Sequence, residues 1–432
     1  MDPITVSLIA LGVMIVMLCT GVPVALAVGV AALGGFCLLS GGLNGLSQAA
    51  AVPWHHAFSF TLMALPLFIL MGFILERIGI TGGMFRFVSN WVGQIPGSLG
   101  LATLLSCGIF AAVCGSGTAT AATMSTICYP HLEKYKYNRR FIAGLLNAGG
   151  SLGPVIPPSG AIILYGVLTG QSVAKLFAAA IIPGILVIAV MSLYIMIASR
   201  VKPTFAPKPP KVTWGEKISS VRFIAPFLVL IFLVLGGIYL GWATPTEAAS
   251  LGAFGALGLM VSYGRFNART FQESIKQTVL TSAFILIIVT FALMLGDLFK
   301  YAGLPQWLAK QVISWGVSYW GVFTGLIVIY LVMGMFLDPA SVQVITIPLL
   351  APVLELLGFD LILFGVVLVL LIEVGTMTPP FALHVFVIQG VTNIPYQDCI
   401  RGALPFAIIW VVVILLVVAF PSLALWFPSV LY

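Results

Sequence analysis

The stretch Gly375-Thr-Met-Thr-Pro379-Pro380, preceded by Pro352-Val-Leu-Glu355, repeats an earlier part of the chain, where Gly153-Pro-Val-Ile-Pro157-Pro158 follows Pro130-His-Leu-Glu133. Every matched position in the two stretches is separated by 222 residues. An offset kept over two proline pairs and two Pro-x-x-Glu turns indicates an internal duplication. The sequence therefore predicts two copies of one structural unit.

The composition around these repeats is that of a membrane protein. Soluble proteins carry about 25% charged residues, whereas this chain of 432 residues has 7% charged and 61% hydrophobic residues. Apolar runs of roughly 15 to 21 residues, close to the length that spans a bilayer as a helix, recur along the chain. They cover residues 4–20, 61–75, 181–199, 223–240, 284–299 and 406–426. We predict one polytopic, all-α membrane domain, because helices satisfy their own backbone hydrogen bonds in lipid, and we expect a retained first helix rather than a signal peptide.

Each copy contains the same order of predicted elements. Two opening helices and a third helix precede a short amphipathic helix. Next come a pair of apolar helical segments, a helix interrupted at its Pro-Pro sequence and a closing helix. The opening elements cover residues 4–20, 23–39, 59–75 and 82–92 in the first copy, and residues 223–240, 246–261, 280–299 and 305–314 in the second.

The apolar pair of each copy predicts a re-entrant helical hairpin. In the first hairpin (about 98–133), arms at 99–113 and 119–132 flank the turn Gly115-Ser-Gly-Thr118. An arm of about 15 residues reaches ~22 Å, which is short of the ~30 Å hydrocarbon core. The second hairpin (about 320–355) has arms at 321–335 and 340–354. The alternative is a pair of ordinary membrane-spanning helices.

If the hairpins do not cross the membrane, each copy crosses five times. An odd number of crossings places the second copy upside down, as an inverted-topology repeat. With a periplasmic N-terminus, sixteen of the nineteen Lys and Arg residues lie in cytoplasmic loops, as the positive-inside rule requires. We therefore predict repeats at 1–199 and 223–432, joined by a basic cytoplasmic linker at 200–222 that is partly a surface helix near 214–222. The first hairpin then enters from the cytoplasm and the second from outside.

The two Pro-Pro breaks are the predicted centre of function. Proline removes an amide donor and interrupts the helix, and the carbonyl oxygens that it frees near the midplane are natural ligands for a cation. The turn of each hairpin forms its tip. Hydroxyls at the first tip (Ser116, Thr118, Thr120) could add ligands or could serve close helix packing. Asp338 at the second tip and Glu373 before the second break are costly in an apolar setting and so point to function; capping of backbone N–H groups is the alternative.

Other classes of function find little support in the sequence. The histidines and cysteines show neither metal-ligand spacing nor a nucleophile–base arrangement, so we expect no enzyme activity. The net charge of +7 is typical of cytoplasmic loops and does not indicate nucleic-acid binding.

With these residues identified, the sequence resembles the large membrane subunit, of the DctM or SiaM type, of tripartite ATP-independent periplasmic (TRAP) transporters over essentially its whole length. The resemblance rests on five motifs: Ala64-Leu-Pro66-Leu-Phe68, Gly115-Ser-Gly-Thr-Ala-Thr-Ala-Ala122, Gly153 through Pro158-Ser159, Leu337-Asp338-Pro339, and Glu373 through Pro380. It implies sodium-coupled elevator transport in a bacterial inner membrane. It also implies a periplasmic substrate-binding protein (DctP or SiaP type) and a small four-helix membrane subunit (DctQ or SiaQ type) as partners, beside membrane lipid.

The resemblance further implies at least two Na⁺ ions, one at each tip and break, held largely by main-chain oxygens. The implied ligands are Cys114, Ser116, Gly153, Ile156 and Pro158 for the first ion, and Gly334, Gly375, Thr378 and Phe381 for the second. Cys114 stands where a serine is common, so a side-chain oxygen is lost there. For the substrate we expect contacts from Ser116, Thr118, Pro158, Asp338 and Pro380.

The substrate itself stays open between a C4-dicarboxylate, sialic acid and another carboxylate. The main rival hypothesis is a binding-protein-independent anion/sodium symporter or antiporter of related fold. A channel and a membrane enzyme are further alternatives. Hairpins that end within the membrane disfavour a channel, and the lack of a catalytic motif in the sequence disfavours an enzyme.

Overall fold

The computed structural model describes residues 1–57, 60–79, 81–93, 95–207 and 212–432. Within these ranges the chain is all-helical, without a β-strand, which confirms the predicted fold class. The helices of the first half are α1 (Pro3–Cys19), α2 (Val24–Ser40), α3 (Leu43–Ala57), α4 (Phe60–Ile78), α5 (Thr81–Val92), α6 (Ser98–Cys114), α7 (Gly117–Lys134), α8 (Arg139–Gly150), α9 (Gly160–Thr169) and α10 (Val173–Val201).

The second half follows the same order. Its helices are α11 (Trp214–Ile231), α12 (Gly237–Tyr239), α13 (Pro245–Ser262), α14 (Ala268–Ala302), α15 (Leu304–Ser314), α16 (Tyr319–Phe336), α17 (Pro339–Leu356), α18 (Leu361–Met377), α19 (Leu383–Thr392), α20 (Tyr396–Ala419) and α21 (Ser422–Leu431). A π turn at Phe232–Gly236 joins α11 to α12 without interruption. The predicted surface helix near 214–222 is therefore the first part of a long apolar helix.

Equivalent residues start equivalent helices in the two halves. Ser116 caps α7 and Asp338 caps α17, and these two positions differ by 222. Asn138 and Asp360 cap α8 and α18 at the same offset. Short polar side chains at these positions accept the free N–H groups of a helix start. Both Pro-Pro bonds, in the two breaks, are cis.

Contacts between helices are exchanged between the halves. α4 packs against α13 and α14 packs against α2; likewise α7 contacts α19 and α17 contacts α9. Such reciprocal pairs arise when two similar units face each other about a two-fold axis. The orientation of each unit relative to a membrane stays a prediction.

The hairpin arms are longer than predicted. α6 has 17 residues, and α7, α16 and α17 have 18 each, which corresponds to ~26 to 27 Å per arm. Seven helices in the described ranges are long and apolar enough to cross a membrane, and α16 and α17 are among them. The re-entrant placement of the hairpins therefore stays a prediction, because arms of this length could also span the membrane.

Three further helix boundaries differ from the prediction. The sequence analysis did not predict α3, although its buried residues Gly45, Ala49 and Val52 have the spacing of one helical face. The closing run 406–426 is divided between α20 and α21, because Pro421 supplies no amide donor to continue the helix. α14 begins at Ala268, twelve residues before the predicted start.

The linker is described only in part, since residues 208–211 lie outside the described ranges. Thr213 and Glu216 form a capping box that starts α11. The indole N–H of Trp91 on α5 donates to the carbonyl of Lys217 at 3.2 Å. The start of the second half is thus attached to the amphipathic helix of the first.

Candidate functional site

The first tip is a two-residue turn between α6 and α7. Gly115 has φ +61°, a left-handed conformation that glycine adopts without steric cost. The Ser116 hydroxyl accepts a hydrogen bond from the Ala119 N–H at 3.5 Å and shares another with the Thr118 hydroxyl at 3.3 Å. The turn therefore places two hydroxyls and the start of α7 together at the tip.

The first break lies directly against this tip. A Cβ atom on Gly153 would lie 2.6 Å from the carbonyl carbon and oxygen of Ser116, and one on Gly115 would lie 3.1 Å from the Pro158 carbonyl oxygen. Only glycine permits so close an approach of two backbones. The structure thus brings together Ser116, Gly153 and Pro158, three of the predicted sodium ligands, with Cys114 and Ile156 adjacent in the same two segments.

The second tip and break meet in the same way. A Cβ atom on Gly375 would lie 2.5 Å from the carbonyl carbon of Gly334. Thr378 ends α18, and its N–H donates to the Gly375 carbonyl at 3.0 Å. The ring of Phe381 packs edge-on against Phe336 at 5.7 Å between centroids. The predicted ligands of the second ion therefore share one small region.

A cavity of about 270 Å³ joins the two regions. It has the concave shape and near the size of small-molecule sites. Ser116, Thr118, Pro158 and Asp338 line it, so four of the five predicted substrate contacts meet there. Glu373 and His384 also line it, together with Thr281 and Ile285 of α14.

Pro380, the fifth predicted substrate contact, does not lie among the residues that line this cavity. Its carbonyl accepts a hydrogen bond from the Tyr396 hydroxyl at 2.6 Å. The prediction had placed both prolines symmetrically. The cavity is asymmetric, however, and takes its polar groups mainly from the first tip and the second break.

Asp338 has the structural role that the sequence analysis left open. One carboxylate oxygen accepts from the N–H groups of Ala340 and Ser341, each at 3.1 Å, and the other accepts from the Ser341 hydroxyl. It therefore caps α17, and the same carboxylate lines the cavity. These bonds hold the carboxylate at a fixed place in the cavity wall.

Glu373 and His384 form a second, fully buried polar group beneath the cavity. Glu373 is 0% exposed and His384 is 1% exposed. The carboxylate Oε2 lies 4.0 Å from the His384 Nε2, and the His384 Nδ1 shares a hydrogen bond of 3.1 Å with the Ser151 hydroxyl. The sequence analysis singled out Glu373 but assigned His384 no role. The signal that it overlooked is that Ser151 and Glu373 are themselves separated by 222 residues.

Comparison with known families gives one match over most of the chain. A model of the family described as "Tripartite ATP-independent periplasmic transporter, DctM component" matches residues 11–423.

Individual relatives fit the same family. The chain is 32% identical to the C4-dicarboxylate TRAP transporter large permease protein DctM of Pseudomonas aeruginosa, over 86% of each chain. It is 31% identical to the ectoine TRAP transporter large permease protein TeaC of Halomonas elongata, over 96% of this chain and 97% of the relative. It is also 32% identical to the sialic acid TRAP transporter large permease protein SiaM of Vibrio cholerae, over 86% of this chain and 87% of the relative.

Among solved structures, the Alcanivorax borkumensis YdaH transporter superposes with a TM-score of 0.64 at 14% identity. The match covers 88% of this chain and 90% of that one. At this identity the likeness concerns the fold alone.

Proposed function

Because the chain belongs to the DctM family of tripartite ATP-independent periplasmic transporters, we propose that it is the large permease subunit of a sodium-driven uptake system for a small organic anion. The substrate class that we propose is a carboxylate, such as a C4-dicarboxylate or a sialic acid. The names of the relatives support this range, since they include both substrates.

The charge of the cavity is the observation that carries the sodium coupling. Its lining includes the carboxylates of Asp338 and Glu373, and none of its lining residues, all from the described ranges, is Lys or Arg. An anion in a medium of low dielectric constant, beside the Asp338 carboxylate and without a basic side chain, is strongly disfavoured unless cations are bound nearby. Na⁺ at the two tips and breaks supplies that charge. Substrate and sodium then bind together, which is the basis of symport.

The packing around the cavity supports an elevator mechanism. Some of the cavity's lining residues belong to α4 and α14, which contact each other, and most of the others belong to the tips and breaks and the helices beside them. We propose that the tips and breaks move as one unit against α4 and α14 and carry ions and substrate across the inner membrane. A tripartite family with a "large" permease also implies a small membrane subunit and a periplasmic binding protein as partners.

The test is uptake of labelled substrate into proteoliposomes that contain this chain and its cognate small subunit, with the cognate binding protein outside. We expect uptake to require an inward sodium gradient, with a Hill coefficient above 1 because two ions bind. Equal uptake when choline or K⁺ replaces Na⁺, with a proton gradient held constant, contradicts the proposal. Uptake that needs sodium but no binding protein favours the symporter or antiporter alternative.

A further inference from the structure

His384 joins two positions that the internal duplication makes equivalent. Ser151 lies at the end of α8, and Glu373 lies 222 residues later in α18. The imidazole stands between them, with Nδ1 3.1 Å from the Ser151 hydroxyl and Nε2 4.0 Å from the Glu373 carboxylate. The first distance is a hydrogen bond, whereas the second is too long for one and is a close approach of two buried polar groups. One side chain therefore connects the first break to the second.

The same imidazole also contacts the first hairpin. A Cβ atom on Gly117, the first residue of α7, would lie 2.6 Å from the His384 Nε2 and 3.3 Å from the Glu373 Oε2. Gly117 follows Ser116, a predicted ligand of the first ion. A shift of the first tip towards α19 would therefore press Gly117 against the imidazole and the carboxyl group.

These contacts lie close to both proposed ion sites. Ser151 precedes Gly153 by two residues, and Glu373 precedes Gly375 by two residues. The Ser151 hydroxyl also donates to the Asn147 carbonyl of α8 at 3.1 Å. Ser151 is thereby bonded both to its own helix and to His384.

Simple packing does not account for the histidine. The equivalent position in the first copy is Ile162, which is 2% exposed, so an aliphatic side chain fills the corresponding space there. Burying an imidazole and a carboxylate is costly unless polar partners compensate, and the Glu373 Oε1 has no hydrogen-bond partner among the described residues. A costly polar pair in place of an apolar one calls for a function.

We propose that His384 is a positioning residue that couples the two sodium sites. This inference rests on the proposed function, since it presupposes an ion at each tip and break. Occupation of one site fixes its break, and the Ser151–His384–Glu373 contacts transmit that order to the other break. Binding of the first ion then favours binding of the second, and partly loaded states that would leak sodium are sparsely populated.

The test compares sodium dependence of uptake in wild type, Ser151→Ala, His384→Leu and the double variant, in the proteoliposomes described above. We expect each single variant to lower the Hill coefficient below the wild-type value and to raise half-saturating sodium about fivefold or more, the lower end of typical site-to-site coupling. The double variant should be no worse than His384→Leu, because both changes remove one connection. His131→Leu, which changes an exposed histidine of α7, serves as the control and should keep the wild-type Hill coefficient.

The outcomes separate this inference from the proposed function. Sodium-dependent uptake with an unchanged Hill coefficient in Ser151→Ala overturns the coupling role and leaves the proposed function standing. Additive losses in the double variant also overturn it. Sodium-independent uptake by the wild type overturns the proposed function and the coupling with it. Folding of His384→Leu is judged by its elution in size-exclusion chromatography. If this variant does not fold, the Hill coefficient of the milder Ser151→Ala variant tests the coupling role.

Discussion

Thr376 and Thr378 lie two residues apart at the end of α18, and both hydroxyls donate to carbonyls of the same helix. Thr376 donates to Glu373 at 2.9 Å, and Thr378 donates to Val374. A threonine hydroxyl that donates its one proton keeps its oxygen lone pairs as acceptors. Thr376 is almost fully buried, whereas Thr378 caps the helix at the break. The Thr378 oxygen is therefore the one available to a cation.

We predict that Thr378→Val weakens apparent sodium affinity. The change keeps the side-chain shape and removes one oxygen ligand. If that ligand contributes like a hydrogen bond to a charged group, about 1.5 to 3 kcal/mol, half-saturating sodium rises roughly ten- to a hundredfold. Sodium titration of substrate uptake measures this shift, and substrate affinity at saturating sodium should change much less.

Thr376→Val is the matched control, because it removes the same kind of hydroxyl-to-carbonyl bond from the same helix. Its sodium dependence should stay close to wild type. Equal damage from both variants would indicate general distortion of the helix end, and wild-type behaviour of Thr378→Val would remove its side chain from the ion site.

At the scale of the elements, close backbone contact between hairpin and break shapes each proposed ion site. The contact of Gly334 on α16 with Gly375 on α18 leaves no room for a side chain on either residue. Elsewhere on α16, Gly325 faces open space, with nothing within 4 Å of its would-be Cβ. Gly375 on α18 and Gly325 on the contacting helix α16 thus have different constraints, which permits a controlled comparison.

We predict that Gly375→Ala separates the second tip from the second break. The added methyl group would lie 2.5 Å from the Gly334 backbone, so the two segments must move apart, at a cost of about 1 to 3 kcal/mol for overpacking. Apparent sodium affinity and the Tm of the purified protein should both fall. Gly325→Ala should leave both unchanged or raise the Tm slightly, since alanine favours helix. A Gly375→Ala protein with wild-type values would show that the contact does not shape the site.

The element scale also shows what the sequence could and could not predict. The offset of 222 identified the Ser116 and Asp338 turns, because a duplicated unit keeps its helix caps. It did not reveal that Pro158 but not Pro380 lines the cavity, since a symmetric sequence pattern carries no information on an asymmetric assembly. The hydrogen bond between Ser151 and His384 was equally hidden, because the two residues are 233 positions apart and the sequence does not indicate that α8 contacts α19.

For the whole molecule, the exchanged helix contacts and the predicted inversion together decide which end of each helix faces which compartment. Ser47 on α3 and Ser219 on α11 are both exposed serines, so each tolerates replacement by cysteine. Three predicted crossings separate them: α4, the broken helix α8–α9, and α10. An odd number puts them on opposite sides. If the hairpin arms α6 and α7 crossed the membrane, they would add two crossings and leave this result unchanged.

We predict that Ser47→Cys labels with a membrane-impermeant maleimide from the periplasm and that Ser219→Cys labels only after the membrane is opened. Both changes are made in a Cys19→Ser parent, because Cys19 is the one native cysteine classed as exposed in the described part of the chain; the unlabelled parent is the control. The positive-inside distribution of Lys and Arg supports this assignment, since Ser219 lies within the basic linker and Ser47 in an uncharged segment between α2 and α4. Labelling of both cysteines from the same side would require an even number of crossings between them. The two copies could then no longer be inverted, and the ion sites would lose the two-fold relation on which their equivalence depends.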